Sequence, residues 1–341
     1  MVRNTRMSVL ENEEVFLDEE ILDYRNEISF EKLLSLLGDD VTSEGKLKTL
    51  QFLAKYGLII NARYCEECPD NLMSLNKANT KDGYEWRCAA CRKSASNDSS
   101  KRISVRRGSF FTDSKLSLNE IIKLLYFWST NTTIDYSIVK NVTGINGPET
   151  INHYYNIIND FCQNFIEKYQ TKEQLQGIIE IEYGKKFEKT IIMFERHSNK
   201  VKHFISDYSN IHQFMRLIIK NIVPGSTIIT QGSQNYGGLS FLKTIFAAEY
   251  PNMNITFVDN GNQLIGNHIA EEVYWSSLKH DLQAMSKKMS DLSPTWIYHY
   301  YFKRCFNFHN IFANFIVEIR KSFPFDLYHC ILHCLEATQE K

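Results

Sequence analysis

Two Cys-x2-Cys pairs, Cys65-Glu-Glu-Cys68 and Cys88-Ala-Ala-Cys91, are the residues whose type and spacing point most directly to chemistry. Thiolates spaced this way form two knuckles that place four sulfurs tetrahedrally around one Zn2+. A four-sulfur shell leaves no coordination position for water, so the expected metal is structural: it holds the fold and activates nothing. Eight cysteines in 341 residues are too sparse for a disulfide framework. Cations crowd the same stretch. Between Trp86 and Lys115 stand Arg87, Arg92, Lys93, Lys101, Arg102, Arg106, Arg107 and Lys115, against Asp98 and Asp113. Arg87, Arg92, Lys93, Arg106 and Arg107 are therefore expected to meet the phosphate backbone of DNA.

Other constellations read differently. His329-Cys330-Ile-Leu-His333-Cys334 puts two His and two Cys at i, i+4, a geometry able to clamp a metal, yet an amphipathic terminal helix with incidental thiols explains it as well. The aromatic run Trp296-Ile-Tyr-His-Tyr-Tyr-Phe302 is assigned to a core, because aromatics at helical spacing in a large domain usually pack inward.

The elements that must position these residues follow from periodicity. Phe30, Leu33, Leu34, Leu37 and then Leu47, Leu50, Leu53 and Ala54 recur at helical spacing behind about ten frayed residues. Short β-like runs follow at Asn71 to Leu75, Tyr84 to Cys88 and Ile103 to Phe111. Ser117-Leu-Asn-Glu120 is a capping box opening a helical stretch. The Gly144 and Asn146-Gly147-Pro148 breaks divide a helix near 133–142 from one near 148–169, the pattern of a helix-turn-helix. Asn152 and His153, on the early exposed face of the second helix, are expected to contact DNA. Beyond it come strands at Gly177 to Tyr183, Lys189 to Glu195, Val201 to Ser206, Ser226 to Thr230 and Asn254 to Asp259. Helices are expected at Ile211 to Ile222, Phe241 to Tyr250 and His268 to Lys288. The order β-β-β-α-β-α-β-α predicts a mixed sheet with helices on its faces.

Composition bounds the function. With 39 basic and 40 acidic residues, 43% hydrophobic and 23% charged, the chain is an ordinary folded protein of two or three domains. The near-zero net charge hides a segregation: acids dominate between Met1 and Asp40, an end that should repel DNA. No apolar run marks a secretory signal or a bilayer span, so an intracellular protein is expected, nuclear in a eukaryote.

Taken in order, Gly57-Leu-Ile, Trp86-Arg-Cys88, Arg106-Arg-Gly-Ser-Phe-Phe111, Tyr126-Phe-Trp-Ser129, Asn152-His-Tyr-Tyr155, Ile179-Glu-Ile-Glu182, Pro224-Gly-Ser-Thr-Ile228 and Glu272-Val-Tyr-Trp275 resemble Merlin-type cut-and-paste DNA transposases and their bacterial insertion-sequence relatives. The resemblance covers roughly Phe52 to Arg304. It implies a zinc ribbon and a helical DNA-binding region ahead of an RNase H-like domain with a DDE triad of carboxylates. Such carboxylates hold two Mg2+ ions that activate the attacking oxygen and neutralise the leaving one. Carried over position by position, the first acid falls on Glu182, where Asp is expected, the second on Gln231 and the third on Glu272. A neutral amide cannot replace a carboxylate that bridges two metals, so the resemblance implies a degenerate, domesticated member without strand-transfer activity.

The fold class expected is α/β (multidomain α+β). Its parts are an acidic helical region at 1–60, a zinc ribbon at 61–112, a helix-turn-helix-like region at 113–170, an RNase H-like domain at 171–315 and a helical tail at 316–341. The function expected is that of a transposase-derived protein binding double-stranded DNA, with Zn2+ as cofactor and Mg2+ only if the catalytic site is intact. A second copy of the chain is an optional partner and a membrane is not one. Two alternatives stand beside it: an active metal-dependent transposase or nuclease using Glu182, Glu272 and a substitute acid such as Asp259, and a protein-interaction module.

Overall fold

Polar caps start the helices where the sequence places them. Ser29 accepts the Lys32 amide to open α2 (Phe30–Leu36), and Thr42 accepts the Gly45 amide to open α3 (Ser43–Lys55). At the start of α5 (Leu118–Thr130) the expected capping box is formed, with Glu120 N to Ser117 Oγ at 3.1 Å and Ser117 N to Glu120 Oε2 at 2.7 Å. The computed structural model describes residues 6–10, 13–23, 27–68, 70–94, 102–131, 135–170, 173–183, 190–198, 200–205, 210–230, 239–259, 297–306 and 309–324. The expected helices at His268 to Lys288 and His329 to Cys334 lie outside them. No helix of the described residues is long and apolar enough to cross a membrane.

The chain divides into two compact units, Met1–Ile151 with Phe306–Lys341, and Asn152–Cys305. The first unit holds α1 (Asp18–Leu22), α2, α3, a three-stranded sheet, α4 (Ala89–Ser94), α5, α6 (Tyr136–Thr143) and α11 (Ile311–Ser322). In the small sheet β1 (Ser74–Lys77) and β3 (Arg102–Ser104) each pair antiparallel with β2 (Tyr84–Arg87). The third strand is shorter than the run Ile103 to Phe111 suggested, because Val105 onward turns, with Ser109 N bonded to Arg106 O at 3.0 Å.

The expectation of ten frayed residues fails from Arg6 onward. Arg6 forms an antiparallel bridge with Leu75, Val9 N donates to Asn61 O at 2.9 Å, and Val9 and Leu10 are buried. The far end of the chain is equally integral. Helix α11 packs on α5 through Trp128 against Phe315, with ring centroids 4.7 Å apart, and Tyr126 against Phe312 at 5.2 Å. Its Arg320 donates to Phe16 O at 2.7 Å and pairs with Asp18 at 3.3 Å. The expected boundary between 315 and 316 therefore falls inside a helix of the first unit. Gly57, which opens the first motif quoted for the family resemblance, has φ +65°, and a Cβ there would come 2.8 Å from Arg320 Nε. Both facts require glycine.

The second unit is built on a five-stranded sheet of order β6-β5-β4-β7-β8: β4 (Ile178–Tyr183), β5 (Thr190–Glu195), β6 (Val201–Ile205), β7 (Thr227–Thr230) and β8 (Thr256–Asp259). The first three strands form an antiparallel meander, while β7 and β8 run parallel to β4. This is the RNase H-like mixed sheet. The crossovers carry α8 (Ile211–Asn221) and α9 (Leu239–Glu249), whose Phe214, Met215, Ile218, Leu242 and Phe246 join Ile179, Ile181, Ile191, Met193, Ile228 and Phe257 in one core. Of the unit's other helices, α7 (Pro148–Gln170) begins in the first unit, and α10 (Ile297–Cys305) lies wholly in the second. Tyr301 of α10 stacks on His203 of β6, and Phe302 meets Phe165 of α7 edge to face at 4.9 Å. Tyr298, Tyr300, Tyr301 and Phe302 are all buried, which bears out the assignment of that aromatic run to a core.

Two basic side chains go down with those aromatics. Burial, reinforced by the Lys303 charge, lowers His299 to about 3, and burial lowers Lys303 to about 7 despite the nearby Cys162. For Lys303 the unfolded chain binds the extra proton between pH 7 and its ordinary value near 10.5, so stability rises with pH across that window. The full penalty is present below pH 7. Lys303→Met is expected to raise the melting temperature at pH 7, by on the order of a few kcal/mol in stability, and to flatten the rise in thermal melts between pH 7 and 10. An unchanged slope would assign the pH dependence to other groups.

Candidate metal centre and nucleic-acid interface

Local backbone hydrogen bonds shape the cysteine knuckles. Cys65 N bonds to Asn71 O at 3.0 Å and Asn71 N to Cys68 O at 2.8 Å, closing a loop that presents both thiols of the first pair. The second pair follows β2 directly: Cys88 is the residue after the strand, Cys91 lies in the first turn of α4, and Cys91 N approaches Cys88 Sγ at 3.5 Å. All four sulfurs lie within 4.8 Å of one another, with Cys65 to Cys91 at 3.5 Å and Cys68 to Cys91 at 3.4 Å. The edge of a tetrahedral four-sulfur shell with metal–sulfur bonds of roughly 2.3 Å is about 3.8 Å, so the cluster can hold a metal ion such as zinc. The Cys91 thiol resists ionisation, since hydrogen bonds with Cys68 and Cys65 push it well above its usual range. A divalent cation supplies the missing counter-charge.

The cations beside this site are already engaged. Arg106 is buried, and its Nε and Nη2 grip Asp82 at 2.7 and 2.6 Å while Nη1 donates to Ser114 O at 3.0 Å. This corrects the expectation that Arg106 meets DNA: it clamps the β1–β2 turn to the segment after β3, and a bidentate guanidinium held that way presents nothing to solvent. Arg87 donates to Glu85 at 2.7 Å, with Arg102 on the same carboxylate at 3.7 Å. Arg107 is exposed and faces Glu66 at 3.4 Å, which also lies 3.9 Å from Arg63. Arg92 and Lys93 lie on α4. On α7, Asn152 is half-buried and His153 exposed, with His153 edge-on to Tyr154 at 5.6 Å.

At the second sheet, Glu182 lies in β4 opposite Ile192 of β5. Gln231 and Glu272 lie outside the described residues. The parallel pairing sets Ile181 opposite Thr230 and Thr230 opposite Asp259, one row across β4, β7 and β8. Glu182 belongs to the next row of β4. Ile181 joins the core that α8 and α9 close. Two residues back from Glu182, Glu180 is buried and ion-paired with Arg196.

Comparison with known proteins adds one likeness. No family model matches the chain. It is 28% identical over 252 residues to Male abnormal protein mab-31 of Caenorhabditis elegans. The aligned region covers 67% of this chain and 57% of that protein, so the chain spans little more than half the length of the curated relative it matches.

Proposed function

We propose that the chain is a transposase-derived, zinc-ribbon protein that binds double-stranded DNA and has lost strand transfer. The observation carrying this reading is the pairing of β4 with β7, which sets Ile181 opposite Thr230, the residues immediately before Glu182 and Gln231. In an RNase H-like sheet of this order, those two strand ends are where the first and second metal-binding acids of a DDE enzyme belong, and here the second is an amide. Asp259 is a poor substitute, because it stands in the row of Ile181, not that of Glu182. Zn2+ is the ion that fits the four thiols, as a structural part of the ribbon.

The full chain should bind duplex DNA with an affinity that falls as salt rises, and should leave labelled strands intact in Mg2+ or Mn2+. Metal-dependent nicking abolished by Glu272→Gln would replace this reading with an active transposase. A second reading, as a protein-interaction module, is favoured by the exposed residues in and beside α1 and α2. There Leu17 is 62% exposed and Leu34 42%, among the exposed acids Glu13, Glu14, Glu19, Glu20 and Glu31. Absence of duplex binding even at low salt would favour it.

A further inference from the structure

Among the described residues, Arg63, Arg87, Arg102, Arg106 and Arg107 of the ribbon pair with Glu66, Asp82 or Glu85, whereas Arg216 and Lys220 of α8 have no ion pair. Phe214, Met215 and Ile218 bury one side of this helix, and His212, Gln213, Arg216 and Lys220 are exposed on the other. His212, Arg216 and Lys220 follow at i, i+4 and i+8, a stripe of roughly 12 Å. The helix contains no acid, and neither Arg216 nor Lys220 makes an ion pair among the described residues. His212 lies 3.5 Å from Glu249 of α9.

Beneath the stripe lies a further, buried cation. Lys202 of β6 donates to Asn221 Oδ1, the last residue of α8, at 3.1 Å. Its ammonium is held below the usual lysine range first by burial and then by the charges of Lys220 and Lys200, so the three cations feel one another. Glu173, paired with Lys200, is the acid beside them. Among the described residues the exposed cations Arg216, Lys220 and Lys200 stand here with the acids Glu173 and Glu249, and buried Lys202 adds to a local positive field that the near-zero net charge conceals.

We infer that the exposed face of α8, with the exposed Lys200 of the β5–β6 hairpin beside it, is a contact surface for the phosphate backbone of duplex DNA. The inference rests on the DNA-binding reading above and assigns that contact to the RNase H-like unit. A 12 Å stripe spans about three or four phosphates of one strand at roughly 3.4 Å each. Contacts to phosphate carry no sequence information, so this surface adds affinity without sequence preference.

The test is fluorescence anisotropy of the full chain with two unrelated labelled duplexes across a salt series. The double variant Arg216→Gln/Lys220→Gln should weaken both duplexes equally, by roughly tenfold, and lower the slope of log affinity against log salt by about 2. The charge-keeping variant Arg216→Lys/Lys220→Arg should restore both, and Glu173→Gln should strengthen binding. Both substituted positions are exposed, and matching melting curves exclude unfolding as the cause. Binding by the parent chain with an unchanged slope in the double variant overturns the α8 surface alone. No binding by the parent chain overturns both this inference and the DNA-binding reading.

Discussion

Cys88→Ser should abolish metal binding by the four thiols and unfold the ribbon while leaving the helices of the same unit in place. A structural Zn2+ contributes about 10–16 kcal/mol to folding in small zinc modules, far more than a sheet of strands only 3 or 4 residues long can supply. Trp86 provides the readout, being fully buried in β2 between Leu75 and Ile103. Its emission should shift to the red in the variant, and in the parent protein on adding a chelator. Helical ellipticity should change little, since α5 and α11 are joined by Trp128 and Phe315 and not by the metal. Unchanged metal content and unchanged emission in Cys88→Ser would show that the thiols hold no structural ion.

The second large effect is expected at Arg106. Removing one partner of a buried ion pair strands the other charge, at a cost of about 3–5 kcal/mol. Arg106→Met leaves Asp82, 9% exposed at its side chain, facing an apolar group. Thermal denaturation should therefore show a large loss of stability, and Arg106→Met/Asp82→Leu should recover most of it, because neither charge is then left buried. Below the melting transition, DNA affinity and its salt slope should match the parent protein. A reduced slope with normal stability would return Arg106 to the phosphate contacts.

Much of the fold is legible from local chemistry. The capping box at Ser117, the Gly144 break and the strand runs from Gly177 to Asp259 each announce themselves within a few residues, because caps, glycines and period-two patterns act locally. The cysteine quartet is equally plain, since knuckle spacing is a local property. What sequence alone misses are partners brought from afar. Arg106 counts as a free cation until Asp82 closes on it, and Val9 and Leu10 belong to a frayed end until Asn61 receives them. The stripe of Arg216 and Lys220 is missed for another reason: a tally of charges by segment does not register a helix that gathers its few cations on one side. Its signal is there in the i, i+4 spacing without an acid between 211 and 221.

Helix α11 packs on α5 and α1, although its residues follow more than a third of the chain later. On a ribosome, roughly 180 residues must emerge between α5 and α11, a delay of ~10–40 s at roughly 5–20 residues per second. Throughout that interval Trp128 and Tyr126 lack the aromatic partners that α11 brings, while the RNase H-like sheet is already being completed. The unit synthesised first is thus the one that finishes last, and nascent chains stalled before Ile311 expose an apolar face suited to chaperone capture.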